Sequence, residues 1–287
     1  MKTAVIGVSL GGKTLMAGKV KDGKIEKSII RIINNKGTEE EILSDVIGVI
    51  DEVRDDEVVG IGFGVPSLVD VEKGIVYKTA HIPSWREVHL KEILEDYFKL
   101  EVYVNNDANC FAIGETYFGS SKSYANSLGV ILGAGVGAGI IFKGHLYSGT
   151  NCGAGEFGEI PYRDKNYEYY LNDSYFDYKY GVTANTFLKR AERKEKIALA
   201  VFEQYGKDLG NLIKSMLFAL DPEIIVLGGP LAKAFPYFEK SIWEELKTFP
   251  YKHSAQKLKI VASQQEDIAV LGAAALYFDA KNQRLKK

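Results

Sequence analysis

Two kinds of apolar run alternate along this chain. Short, dense, β-branched runs bounded by glycine are separated by longer ones with three- and four-residue spacing. Thr3 to Leu10 (TAVIGVSL) predicts a strand ending at Gly11-Gly12, and Thr14 to Val20 a second. Asp22-Gly23 is a hairpin signal leading into a third strand, Lys24 to Ile33. From Glu39 to Val53, Ile42, Val46, Ile47 and Ile50 fall on one helical face. Val58 to Val65 reads as a buried strand ending at Pro66. Ser84 is the expected cap of a helix carrying Val88, Leu90, Ile93, Leu94 and Tyr97. A strand at Glu101 to Asn105 and a helix at Ala108 to Phe118 complete the order β-β-β-α-β-α-β-α. That order suits a mixed sheet covered by helices.

The second half repeats this opening. Residues 128–149 run strand, Gly-Ala-Gly turn, strand, Lys143-Gly144 turn, strand, which predicts two related lobes with a phosphate hairpin from each. Gly133, Gly135, Gly137 and Gly139 stand at alternate positions among Val136, Ile140 and Ile141. Glycine weakens a strand interior, so its repetition implies close approach to the backbone, and bare amides suit phosphate oxygens. Tyr162 to Tyr180 holds seven tyrosines without a clear period and reads either as a loop whose rings line a site or a partner surface or, equally, as a surface excursion packed on its own rings. Lys194 to Leu220 predicts a long helix with the stripe Ile197, Val201, Tyr205, Leu209, Leu212, Met216 and Leu220, stopped by Asp221-Pro222. Then come a strand at Glu223 to Leu227 ending at Gly228-Gly229-Pro230, a helix at Ile242 to Phe249, a strand at Lys257 to Ala262 and a helix at Ile268 to Phe278. The tail from Lys281 to Lys287 is expected to fray.

Composition narrows the class. At 287 residues the chain exceeds one small core, so two lobes are expected. A net charge of −2 argues against a nucleic-acid surface. The opening MKTAVIGVSLGG reads as a strand rather than a signal peptide, and no apolar run has spanning length, so a cytoplasmic location is expected. Cys110 and Cys152 sit in apolar or Gly-rich surroundings and are expected as buried thiols. Residues 7–14 (GVSLGGKT) satisfy G-x-x-x-x-G-K-S/T, but that loop must open a helix, and TLMAGKVKDGK reads as strand and turn. The match is a decoy. The Gly-rich stretch also fails G-x-G-x-x-G, because residue 138 is alanine.

An ordered set of motifs does fit a family. VSLGGKT near the start, GFGVP at 62–66, NNDAN at 105–109, LGAGVGAGIIFKGHLYSG at 132–149, GAGEFGEI at 153–160, LDPEIIVLGGPL at 220–231 and LGAAAL at 271–276 together resemble the ROK (repressor, open reading frame, kinase) sugar kinases. The resemblance implies an α/β fold of two ribonuclease-H-like lobes, of the actin/hexokinase type, with an interlobe cleft. It places a small lobe at 1–117, with the final helix (about 268–287) packed back on it, and a large lobe at 118–267. It implies ATP and Mg²⁺, a small-molecule sugar substrate, neither nucleic acid nor membrane as partner, and compatibility with a homodimer. Asp107 falls at the family's catalytic base, and Asn106 and Glu156 at sugar contacts. Gly11, Gly12, Lys13, Gly133, Ala134 and Gly135 fall at the phosphate loops, and Gly228 and Gly229 near the adenosine. Taken alone, Asp107 also suits the cap of the helix that follows it.

Five departures bear on that expectation. Ser9 replaces an aspartate that helps organise magnesium, and Ala134 a threonine of the second phosphate loop. His81 stands for a sugar-binding asparagine and Glu159 for a histidine, which favours an amino sugar. The tyrosine-rich segment replaces the Cys-rich zinc loop, so no structural zinc is expected. The sequence thus reads as an ATP-dependent sugar kinase. Its rival is an impaired ROK-like sensor that binds a sugar or nucleotide, and a P-loop hydrolase ranks third.

Overall fold

The structure, a computed structural model, describes residues 3–79, 81–150 and 152–284. β1 (Ala4–Leu10), β2 (Thr14–Lys21) and β3 (Lys24–Ile32) form an antiparallel meander. At its tight turn Asp22 and Gly23 take φ of 51° and 75°, the left-handed pair that a two-residue hairpin of this twist requires. α1 (Glu39–Val53) opens with a capping box between Thr38 and Glu41 and buries Ile42, Val46, Val49 and Ile50. β4 (Val58–Val65) runs parallel to β1. A small three-stranded sheet follows, made of β5 (Leu68–Asp70), β6 (Ile75–Tyr77) and β7 (Glu87–Val88). α2 (Leu90–Phe98) leads to β8 (Glu101–Asn106), parallel to β4, and to α3 (Asp107–Phe118). The first sheet has the order β3-β2-β1-β4-β8.

Ser84 does not cap a helix. Lys78 and Thr79 pair instead with Arg86 and Trp85, the Thr79 amide donating to Trp85 O at 3.1 Å and the Trp85 amide to Ile82 O at 3.0 Å. Val88 is consequently a strand residue, and α2 begins after His89.

The second sheet has the order β11-β10-β9-β14-β15, strand for strand the order of the first. β9 (Ser127–Leu132), β10 (Val136–Phe142) and β11 (His145–Tyr147) repeat the meander, and Lys143 and Gly144 (φ 52° and 79°) repeat its tight turn. The tyrosine-rich segment is not a loop. It folds as the hairpin β12 (Pro161–Tyr162) and β13 (Lys165–Asn166), then α4 (Tyr167–Leu171) and α5 (Ser174–Tyr180). α6 (Ala184–Glu192) and α7 (Lys196–Leu220) come next. The buried face of α7 runs through Ala198, Val201, Phe202, Tyr205 and Leu209, while Ile197, expected in the stripe, is 72% exposed. β14 (Ile224–Gly228) is central, between β9 and β15, and parallel to both. α8 (Phe235–Leu246) starts earlier than the pattern suggested, and α9 (Lys252–Lys257) precedes β15 (Lys259–Ala262). α10 (Ile268–Arg284) extends the expected last helix into the segment expected to fray, of which residues 285–287 lie outside the described ones.

The chain divides into two compact units. One holds Met1–Ser123, Gly139–Ala154 and Gln264–Lys287, the other Tyr124–Ala138 and Gly155–Ser263. In the first unit α10 lies directly on β1 and β4. A side chain at Gly7 would place its Cβ 2.0 Å from Val270 O, and one at Gly62 1.8 Å from Ala273 O. Gly7 is therefore glycine for helix-on-sheet contact, not as a phosphate loop. With β2 following Gly12, this settles the decoy. Both cysteines are buried thiols, as expected. Among the described residues, no helix is long and apolar enough to cross a membrane.

Candidate active site

In the first unit the candidate residues gather where β8 ends and α3 begins. Asn106 caps α3, its side-chain oxygen accepting from the Asn109 amide at 2.7 Å. The cap role weighed for Asp107 therefore falls to its neighbour. Asp107 is the first helical residue, and its Oδ1 accepts from the Ala108 amide at 2.9 Å. Its surface is exposed, yet surrounding protein strips water from the carboxyl and raises its pKa, while the amides of Ala108 and Asp107 pull it down. A solvent-reachable, partly desolvated carboxylate suits proton acceptance.

Asn105, which the sequence reading left unassigned, is the hub beneath. Its Oδ1 accepts from the Asn106 amide at 2.8 Å, from Asn109 Nδ2 at 2.9 Å and from the Cys152 thiol at 3.7 Å. Its Nδ2 donates to Ser148 Oγ at 3.4 Å. Three buried asparagines (Asn105, Asn106 and Asn109) bonded to one another beneath the exposed Asp107 fix the start of α3. Their repetition within NNDAN was the available signal. The first glycine turn belongs to this unit. The Gly11 amide donates to Thr14 O at 2.7 Å, and a Cβ on Gly12 would meet the His81 ring at 3.0 Å, so the structure brings Gly12 and His81 together. Lys13 is exposed at the turn, and Asn35 Nδ2 donates to the His81 carbonyl at 2.8 Å.

The second unit holds the other turn. The Gly133 amide donates to Gly135 O at 3.1 Å, Ala134 is exposed at the tip, and Glu168 Oε2 accepts from the Val136 amide at 2.9 Å. Gly133 O accepts from the Asp173 amide at 2.8 Å. Gly228 ends β14, and Gly229 takes φ 82° with Leu132 O only 2.4 Å from where a Cβ would stand. Glycine is obligatory there. A pocket of about 560 Å³ opens beside this turn, lined by Asp173, Asn185, Phe202, Pro230 and Lys233 among others, and Pro230 also packs on Gly133. Glu156 is exposed just before the short 3-10 turn Phe157–Glu159. Glu159 Oε2 accepts from Asn166 Nδ2 at 3.0 Å. Glu168 was missed because it sits between tyrosines in a segment with no readable period.

Residues 5–280 match the ROK family. The chain belongs to the ROK family. A glucokinase from Thermotoga maritima is 26% identical over 96% of this chain and 97% of its own length. Among solved structures, a ROK family transcriptional regulator, a homolog of E. coli MLC protein, superposes with a TM-score of 0.87 at 22% identity, covering 96% of this chain and 78% of that one. A ROK family glucokinase from Streptomyces griseus, in complex with glucose and AMPPNP, gives 0.79 at 23%, covering 95% and 98%. These two likenesses establish the shared α/β fold of the actin/hexokinase type. The tyrosine-rich segment is packed on its own rings, the second of the two readings its sequence allowed: Tyr162 stacks on Tyr167 with centroids 4.2 Å apart and meets Tyr170 edge-on at 5.7 Å.

Proposed function

We propose that this ROK protein is an ATP-dependent carbohydrate kinase that phosphorylates a hydroxyl of a hexose or hexose derivative. The observation that carries the reading is Asp107, exposed at the start of α3 with its capping duty taken by Asn106. In this reading the sugar oxygen bonds to the γ-phosphorus as Asp107 accepts its proton. The bond from that phosphorus to the ADP oxygen breaks, and ADP leaves. Asn106, Glu156 and His81 orient the sugar by hydrogen bonds to its hydroxyls. The turns at Gly11–Lys13 and Gly133–Gly135 take the phosphates, and the pocket by Gly229 takes the rest of the nucleotide, whose size it suits.

Phosphate charge is neutralised by the Mg²⁺ that accompanies ATP. In this reading the ion is held mainly through the phosphates. In this reading the β12–β13 hairpin and its packed rings stand in place of a structural zinc loop. A cytoplasmic location follows from dependence on ATP, and a homodimer is compatible with this reading. ADP release that requires both sugar and Mg²⁺ tests the proposal. The rival, a binding-only sensor, is favoured by the five departures named from the sequence, Ser9 and Ala134 among them, and it predicts binding without turnover.

A further inference from the structure

Asp208 lies in the middle of α7 and is 1% exposed. A buried carboxylate is costly unless several donors satisfy it, so its partners point to what it is for. Its Oδ1 accepts from Tyr162 Oη at 3.0 Å, from Gln204 Nε2 at 3.0 Å and from the Arg163 guanidinium. Two of these donors come from the tip of the β12–β13 hairpin. Arg163 there adopts φ 53°, a left-handed conformation disfavoured for arginine, and its guanidinium lies 4.9 Å from the ring centroids of both Tyr162 and Tyr170. A strained backbone that persists must be held by its surroundings, and the Asp208 pair does so here.

The hairpin runs directly into α4, and α4 touches the phosphate turn. Tyr162 stacks on Tyr167, Tyr205 Oη donates to Leu171 O at 2.9 Å, and Glu168 between them accepts the Val136 amide. Just beyond α4, the Asp173 amide holds Gly133 O. On the other side, Asn166 at the end of β13 donates to Glu159. One buried carboxylate therefore anchors a segment that grips the second glycine turn at two points and the Glu156–Glu159 stretch at a third.

We propose that Asp208 is a positioning residue: with Arg163 and Tyr162 it sets the β12–β13 hairpin and α4, and through Glu168 and Asp173 it holds the Gly133–Gly135 turn ready for phosphate. The inference rests on the kinase reading for its catalytic consequence and on geometry alone for the clamp. Asp208→Asn and the milder Arg163→Met, a change at a half-exposed side chain, are compared with the parent in the full chain. Both should raise the KM for ATP about tenfold or more at saturating sugar, with a smaller change in kcat. Amide exchange at Val136 and Asp173 should quicken about tenfold while Val226 in β14 stays slow. Arg163→Lys should recover part of both effects.

Unchanged exchange at Val136 and Asp173 in folded variants overturns the clamp, and so does equal acceleration of Val226, which marks general loosening. Quickened local exchange with an unchanged KM overturns the positioning role. A parent without sugar-dependent turnover, whose variants still show the local exchange change, overturns the kinase reading and sustains the clamp.

Discussion

The turns at Gly11–Lys13 and Gly133–Gly135 occupy the same place in two sheets of identical strand order, yet they are held differently. The first takes its hydrogen bonds from its own meander, the Gly11 amide reaching Thr14 O and Lys13 O accepting from the Ile33 amide at 3.0 Å, with the His81 ring packed beside Gly12. The second is gripped from outside its meander by Glu168, Asp173 and Pro230. Between β3 and β4 the first half has α1, whereas between β11 and β14 the second inserts β12, β13 and α4 to α7. The duplicated framework supplies two amide-bearing turns, and the insertion turns one of them into a supported site with a pocket beside it.

Breaking the framework itself should cost most. Gly62→Ala drives a Cβ into the backbone of α10 and should destabilise by about 3–5 kcal/mol, or prevent folding, in chemical denaturation. Gly229→Ala adds left-handed strain to a clash with Leu132 O. It should cost about 2–3 kcal/mol and weaken nucleotide binding by calorimetry. The asymmetry is tested by Glu168→Ala, which leaves the Val136 amide unpartnered. A loss of about 1–2 kcal/mol is expected, with a higher KM for ATP and unchanged affinity for sugar. Smallest should be Ala134→Thr, which returns a hydroxyl to the exposed tip. Stability should stay within about 0.5 kcal/mol while the KM for ATP falls a few-fold.

Much of the framework was legible because alternation and turn chemistry are local. Asp22-Gly23 and Lys143-Gly144 announce their hairpins by residue type, and the repeat between the halves proved to be a repeat of strand order. The Walker-like match could be rejected because β2 reads as a strand, although the reason for Gly7 lies in α10, far away in sequence. What local pattern hid was set by distant partners. Tyr162 to Tyr180 looks aperiodic because its rings pack on one another and on α7 rather than along one helical face. Asp208 is an ordinary polar position in a helical stripe until the hairpin is folded over it. In the candidate site, NNDAN marked the place but not the division of labour, in which Asn106 caps, Asn105 braces and Asp107 faces solvent.

The pH dependence follows from that division. The carboxyl of Asp107 is raised by loss of water, so the acid limb of kcat should lie above the ordinary carboxylate range of about 4. The sign for stability is opposite. A carboxyl with a raised folded-state pKa contributes stability below its unfolded pKa and loses it as pH climbs through the folded one. Asp107→Asn should therefore remove the acid limb's group without destabilising the protein at pH 7. Thermal unfolding checks this.

The most direct measurement is ADP release from ATP and Mg²⁺ across hexoses, amino sugars and N-acetyl sugars, for the parent and for Asp107→Asn. The account predicts sugar-dependent release by the parent and a fall in kcat of about 10²- to 10⁴-fold in the folded variant, with sugar still bound. Equal turnover in the two proteins, or a parent that binds sugar and nucleotide yet releases no ADP, would contradict it.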